Sequence, residues 1–426
     1  MTQTTHGPTD LLRMLQAHPW VADTRAAPSG ELIVRAHPDA LAALPVLGGL
    51  VREFLDHWRD VYDWVYDDPA PGGPVDADLS GWRASDTGRP LPAAHMADWR
   101  DTTAALALAT RPTRVLELGC GSGMFAHAFV DRVEAYVGTD VSATAVERLR
   151  AQRVPGTTVL HAAAHEAASG EVRRALGGAA PDLVLLNSVT QCFPDLGYLR
   201  AVLHDAVELV APGGYILVGD IRHAGLLGHY CRWVEAAKDP AAGPDEIERR
   251  AAVRAEREEE MLLAPGAVAR AAAGTGRRLE LSVRARTMAD DTELTRYRYD
   301  ALLRVDAPPR GTAMPPVRTV ANALLTTEPD GSTPHLLADA ARARGGVVLV
   351  DVHDPKRLAV AESDAASYTA VEAFGGETSL AHEPLHAFVG RRLPEALRDH
   401  LRAEFPQAAL PRIRVAPRTE EATGVR

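Results

Sequence analysis

Lysine is almost missing from this chain, and cysteine is scarce. Only Lys238 and Lys356 occur, so nearly all the positive charge is arginine, a compositional habit of an alanine-rich chain with no mechanism attached. The three cysteines, Cys120, Cys192 and Cys231, form no CxxC pair, which argues against a zinc site and against a disulfide framework. The opening MTQTTHGPTD has no basic segment followed by an apolar run, so no secretory leader is expected. No uninterrupted apolar stretch approaches membrane-spanning length. Net positive charge is lacking too: the formal value is −11, whereas a nucleic-acid binder would show a basic face. These absences predict a cytoplasmic protein with no membrane and no nucleic-acid partner. What is present, 426 residues of which 46% are hydrophobic, suffices for two or three domains with real cores.

Periodicity organises the rest. DLLRMLQAHP reads as a short helix, ELIVRAHP as a strand, and residues 50–66 carry Phe54, Leu55, Trp58, Val61, Tyr62 and Val65 at helical spacing. DDPAPGGP breaks that helix, and AAHMADWRDTTAALALAT starts another. From 114 to 220 strands and helices alternate: RVLEL, AYVGTD, TVLHAAA, DLVLLNSV and YILVGDI are the strands. Such alternation predicts a mostly parallel sheet covered by helices. The charged run IERRAAVRAEREEEML, within 240–262, is expected to be one helix with a solvated face. RLELSVRARTM and LTRYRYDALLRV are expected to pair and close the sheet. APPRGTAMPP (307–316) reads as a linker before a smaller α/β segment with strand GVVLVDVHD and helix LPEALRDHLRAEF.

The informative stretch is RVLELGCGSGMFAHAFVDRVEAYVGTD, residues 114–140. A strand that enters a turn with Gly119, Gly121 and Gly123 and then a helix brings backbone N–H groups close to a ligand. Asp140, at the end of the next strand, would accept hydrogen bonds from both hydroxyls of a ribose. Glycines and an acid alone fit any adenosine-containing ligand. Glu117 separates the candidates: a carboxylate there would repel a pyrophosphate, but suits the ammonium and sulfonium of S-adenosylmethionine.

Beyond the loop, LLNSVTQCFPDLGYLRAVLHDAVELVAPGGYILVGDIRH (185–223), EREEEML (256–262) and ELTRYRYDALL (293–303) carry a more specific signal, joined upstream by HWRDVYDWVYDD and GWRASDTGRPLP. On these segments, over roughly residues 55–305, the chain resembles the methyltransferase domains embedded in nonribosomal peptide synthetases. The resemblance implies a class I S-adenosylmethionine-dependent fold, Rossmann-like, with a mostly parallel seven-stranded sheet. In that family the domain interrupts a small adenylation subdomain, and here LLRMLQAHPWVADTRAAPSGELIVRAHP resembles its first half and EPLHAFVGRRLPEALRDHLRAEFPQ the start of its second. The expected division is 1–48, 49–306 and 317–426. The large adenylation core and the terminal lysine motif are missing from these 426 residues, so adenylation is not expected.

The resemblance assigns Glu117, Gly119, Gly121, Gly123 and Asp140 to the cofactor, with His165 and Glu166 facing its adenine. Spacing of four also allows His161 and His165 as a metal pair, but the local pattern is a strand and its exit, so no metal is expected. Asn187 follows the fourth strand of the alternating run, where such sheets bind ligands, and is placed with the cofactor. Ser188, Gln191 and Cys192 follow on the acceptor side. Cys192 stands where the family usually has an aromatic residue. Asp220, Arg222 and His223 leave the fifth strand toward the acceptor, and His223 is the candidate base; a structural histidine at a strand–helix junction is the alternative. Glu293, Arg296 and Tyr297 are candidates for the acceptor pocket, although strand alternation lets only some face inward. Tyr62, with Tyr66 and Trp82, would cover the sulfonium by cation–π contact, or Tyr62 would simply pack.

The expected function is methylation, by S-adenosylmethionine, of an amine of an amino acid or its derivative, free or bound to a carrier protein. Oxygen or carbon acceptors remain open on the same fold. A catalytically silent scaffold is the alternative from another class, and a nicotinamide oxidoreductase is disfavoured by Glu117.

Overall fold

A computed structural model describes residues 8–67, 79, 81–307, 318–376 and 380–416. The breaker beyond Asp67, the linker from 308 and the tail RTEEATGVR lie outside the described residues. The chain divides into two compact units, Met1–Trp58 with Glu383–Arg426, and Arg59–His382.

The first unit is built from both ends of the chain. Helix α1 (Pro8–Ala17) packs Leu11 and Leu15, one turn apart, into a core shared with strand β2 (Leu32–Ala36). Strand β1 (Val21–Ala26) pairs with β2 in antiparallel register. The terminal strand Ile413–Val415 pairs with the other edge of β2 in parallel. Helix Leu385–Glu404 buries Val389, Leu393, Leu397 and Leu401 in that core; their spacing of four gives one continuous stripe. Helix α2 (Gly49–Asp67) gives its first half to this unit, and Arg59–Asp67 belong to the second.

The second unit is organised by one large sheet. Strands β3 (Arg114–Leu118), β4 (Ala135–Asp140), β5 (Thr157–His161), β6 (Leu183–Asn187) and β7 (Tyr215–Arg222) are parallel, in the order β5-β4-β3-β6-β7. Every residue of β6 is buried, as a run of LVLLN requires when both faces are covered. Helices α3 (Ala93–Ala109), α4 (Met124–Phe129) and α5 (Ala143–Gln152) bring Trp99, Phe125 and Leu149 into one core cluster with Val115, Leu185 and Leu217. Helices α6 (Gly170–Ala175), α7 (Leu196–Leu209), α8 (Leu227–Lys238) and α9 (Pro244–Glu256), strand β8 (Leu262–Leu263) and helix α10 (Pro265–Ala272) precede the closing pair. That pair is β9 (Leu279–Ala285) and β10 (Arg298–Val305), with the short helix α11 (Glu293–Arg296) between them. β10 runs antiparallel to both β7 and β9, which completes a seven-stranded class I pattern.

Two expectations are corrected. The charged helix does not reach residue 262: α9 ends at Glu256, and Glu258 and Glu260 leave it in a segment that turns inward. The 317–426 segment is not one region. β11 (Arg318–Ala321), α12 (Pro334–Arg342), β12 (Val347–Val350) and β13 (Arg357–Ala361) extend the large sheet beyond β9, and the chain joins the first unit only from Glu383. β12 meets β9 at Leu349 and Arg284, and Ala285, Ala341, Val348 and Leu358 form a core of their own there. The strands on either side of residues 308–317, β10 and β11, belong to the same sheet.

Candidate active site

The sheet defines the place. The chain runs from β3 outward to β4 and β5, then returns to the other side of β3 for β6 and β7, so the loops after β3 and β6 diverge from a topological switch point. Gly119, Gly121 and Gly123 all have left-handed φ, 84°, 49° and 88°. A Cβ at Gly119 would lie 2.4 Å from Val189 on the β6 loop, and one at Gly121 would lie 2.5 Å from the Tyr66 hydroxyl. Only bare backbone fits that cradle. Asp140 locks it from β4, accepting the Gly121 N–H at 2.8 Å with one oxygen and the Ser142 N–H at 2.8 Å with the other. The last turns of α2 lie over the loops: Asp63 accepts the Ser142 hydroxyl at 2.5 Å, Arg148 donates to the Tyr66 carbonyl, and Tyr62 stacks with Tyr66 at 6.0 Å. The Tyr62 hydroxyl stands 3.6 Å from the Cys192 sulfur; Cys192, then burial, push its ionisation well above the ordinary range. Burial likewise raises the Cys192 thiol, so it is no thiolate nucleophile.

Glu117 is 1% exposed and its carboxylate receives the Tyr136 hydroxyl from β4. The structure therefore gives it an internal partner, a correction to the open, ligand-facing position expected of it. Burial, with Asp140 adding, raises its pKa well above the carboxylate range; burial also raises Asp140, against the pull of the Ser142 and Gly121 N–H groups. Two buried acids, one raised by the charge of the other, would be relieved by a cation and aggravated by a pyrophosphate. The cradle, the acid at the end of β4 and this charge pattern fit S-adenosylmethionine.

The adenine expectation fares differently for its two residues. His165 is half-buried, with Nδ1 2.9 Å from the Tyr198 hydroxyl and its pKa lowered by burial. Glu166 is exposed and accepts the Ala163 N–H at 2.8 Å, so its carboxylate is engaged in capping a local turn. His161 points elsewhere, to the Val141 carbonyl at 3.0 Å, and no metal-binding cluster of three or more ligands occurs among the described residues.

A second constellation lies at the ends of β6, β7 and β10. Asp220 is fully buried, in a left-handed conformation (φ 59°), as is Ser188 (φ 59°) across from it. Its carboxylate accepts the Trp99 indole N–H at 3.1 Å, the Ser188 hydroxyl at 2.7 Å, and Arg298. Three donors make it an anchor, which corrects its expected catalytic role. Arg222 forks onto Glu258 at 2.8 and 2.9 Å and reaches Glu260 at 2.6 Å. Burial would lower its pKa, but Glu260 and Glu258 more than reverse this and hold it charged, so Arg222 is a structural clamp and not a proton carrier. Gln191 donates to the Asp220 carbonyl at 2.7 Å and its own carbonyl takes the Met261 N–H at 2.8 Å, which ties the Glu258–Glu260 arm to the site. Glu293 is buried and accepts the Ser85 N–H at 3.2 Å. Trp82 packs on Trp99 with centroids 4.6 Å apart, so it walls the Asp220 side and joins the core cluster.

The remaining expectations are corrected. His223 Nδ1 accepts the Gly225 N–H at 3.1 Å as the cap of a short turn, its ring packs on Tyr299 at 5.4 Å, and burial lowers its pKa to about 4. A base that weak is poorly matched to an ammonium near pKa ~8. Arg296 is taken by Asp291 and the Leu324 carbonyl at 2.8 Å, and Tyr297 by His229 at 3.0 Å with Tyr230 and Trp233 around it. Glu293 and Arg296 sit in α11, so strand alternation never applied to them. Sequence alone gives Arg298, Glu258, Glu260 and Trp99 no role of their own. The pattern Arg298-x-Asp300 on one strand face was the only local sign of the first.

Residues 116–216 match the family model described as "Methyltransferase domain". Among curated proteins, the probable nonribosomal peptide synthetase CymA of Salinispora arenicola is 36% identical over 310 residues, 70% of this chain and 4% of that protein. Chondramide synthase cmdD of Chondromyces crocatus is 30% identical over 315 residues, 70% of this chain and 8% of that protein. The chain thus spans a small fraction of the relatives it matches. Among solved structures, the N-methyltransferase NodS of Bradyrhizobium japonicum WM9 with S-adenosyl-L-homocysteine aligns at 15% identity and TM-score 0.35, over 50% of this chain and 88% of that one. The glycine cradle under Asp140, the strand order and the family match together show a class I S-adenosylmethionine-dependent methyltransferase domain, and 70% of the chain is similar to a segment of nonribosomal peptide synthetases.

Proposed function

We propose that this protein transfers a methyl group from S-adenosylmethionine to an amine of an amino acid or its derivative, free or carrier-bound, in natural-product biosynthesis. The observation that carries the choice of nitrogen is the charge of the acceptor side. Among the described residues, Asp220, Glu258 and Glu260 pair with Arg222 and Arg298, His382 stands beside Glu258, and Glu293 is held by the Ser85 N–H, so carboxylates outnumber arginines there. An ammonium complements that surplus; a hydroxyl or a carbon acid does not.

Methyl transfer from a sulfonium is an in-line displacement that needs an aimed lone pair and excluded water. When bound, S-adenosylmethionine supplies the electrophilic methyl group. Gly119–Gly123 and Asp140 would hold it through backbone N–H groups and the free lone pairs of the carboxylate. Tyr62 and Tyr66 cover the loop and exclude water. Asp220, saturated by three donors, orients Arg298, Ser188 and Trp99 around the acceptor. With His223 capped and neutral, the amine loses its proton to solvent before attack. The adenylation-like ends serve structure or docking.

Calorimetric titration with S-adenosylmethionine tests the cofactor half of this reading. Saturable binding is expected, whereas no heat of binding would favour the silent scaffold.

A further inference from the structure

Four buried polar atoms on the loop at the end of β6 lack hydrogen-bond partners: both carboxamide atoms of Asn187, Oγ1 of Thr190 and Oε1 of Gln191. Asn187 and Gln191 are each 5% exposed. Buried polar groups are nearly always paired, so such a cluster points to a ligand that completes it. The direction of Asn187 tells which ligand. A Cβ on Gly219 would come 2.2 Å from Asn187 Oδ1 and 3.4 Å from Asp300 Oδ1. The carboxamide therefore lies against the bare backbone of β7, the neighbour of β6 on the side opposite β3, just before Asp220. Gln191 bridges Asp220 to Met261, the residue after Glu260. Glu260 commits one oxygen to Arg222; its Oε1 has no hydrogen bond among the described residues, and its side chain is 34% exposed.

We propose that Asn187 and Glu260 form the nitrogen-binding subsite of the acceptor. The Asn187 carboxamide oxygen accepts an N–H of the amine, and the uncommitted Glu260 oxygen recognises the charge of its ammonium form. This moves Asn187 from the cofactor to the acceptor. It rests on the methyltransferase reading above and adds the residues that select nitrogen.

Glycine ethyl ester, an ammonium without a carboxylate, is the probe, titrated calorimetrically into protein saturated with S-adenosylhomocysteine. Wild type is expected to bind it and to ignore the uncharged N-acetylglycine ethyl ester. Asn187→Ala and Glu260→Gln should each weaken the ester by about tenfold or more, the loss of one hydrogen bond or charge contact, with S-adenosylhomocysteine affinity held within about twofold. Gly219→Ala keeps the carboxamide but pushes it aside, and should reproduce the Asn187→Ala loss. No ester binding to wild type, or unchanged ester affinity in the variants, overturns the proposal. So does an Asn187→Ala loss of S-adenosylhomocysteine affinity as large as that of the ester, which would return Asn187 to the cofactor. If wild type fails to bind S-adenosylhomocysteine, the methyltransferase reading falls instead, and the ester titration without it still decides the subsite.

Discussion

Asp140 and His223 show how differently single residues speak. Asp140 is legible because its type and its distance from the glycines are dictated by chemistry: bare backbone, then an acceptor on the next strand. Both of its oxygens already hold N–H groups, at 2.8 Å each. Asp140→Ala is expected to weaken S-adenosylmethionine binding by roughly 1.5–3 kcal/mol, the cost of a charge-assisted bond, and unchanged affinity in a folded variant would remove it from the site. His223 was misleading in sequence, since position after β7 suggests a base while a cap and a buried ring are visible only in three dimensions. Asparagine caps as well as histidine, so His223→Asn should leave turnover near wild type; a fall of about 100-fold or more would restore the base. Its pKa near 4 also sets a sign. Between about pH 6.5 and 4 the unfolded histidine takes a proton that the folded one refuses, so stability falls as pH drops through that window. The term is on the order of 3 kcal/mol, and denaturant titrations at pH 7 and 4.5 should show a smaller difference in His223→Asn than in wild type.

At the scale of elements, the alternating strands of 114–220 are legible because each buries apolar residues in a fixed rhythm. The arm after α9 is not. Nothing in EREEEML stops a helix locally; the charges read as a solvated face until Arg222, distant in sequence, captures Glu258 and Glu260. The Arg222 side chain is 8% and the Glu258 side chain 12% exposed, so this is a nearly buried pair. Removing one partner of such a pair typically costs ~3–5 kcal/mol. Arg222→Ala is therefore expected to release the arm, and amide exchange at Glu259, Glu260 and Met261 should accelerate far more than exchange in β6. Equal protection in wild type and variant would mean that the arm is held by something else.

For the whole molecule, alternation gives the five parallel strands and the resemblance implies the seven-stranded sheet; GVVLVDVHD reads as a strand, but its place in that same sheet does not follow from sequence. β12 reaches β9 through a non-local pairing that no window of sequence contains. If that extension is one folded body with the sheet, Leu358→Ala, at a site 2% exposed, should cost about 2–5 kcal/mol of stability; a cost near zero would mean an independently frayed appendage. The adenylation-like ends should show no ATP–pyrophosphate exchange with any amino acid, and exchange would refute a purely structural or docking role.

The central claim is methyl transfer to nitrogen, and isotope-edited NMR tests it most directly. The protein is incubated with [methyl-13C]-S-adenosylmethionine and the proteinogenic amino acids, each free and as its N-acetylcysteamine thioester. The account predicts a 13C-methyl resonance attached to the amine nitrogen of at least one acceptor. Label on oxygen or carbon, or no label transferred at all, would contradict it.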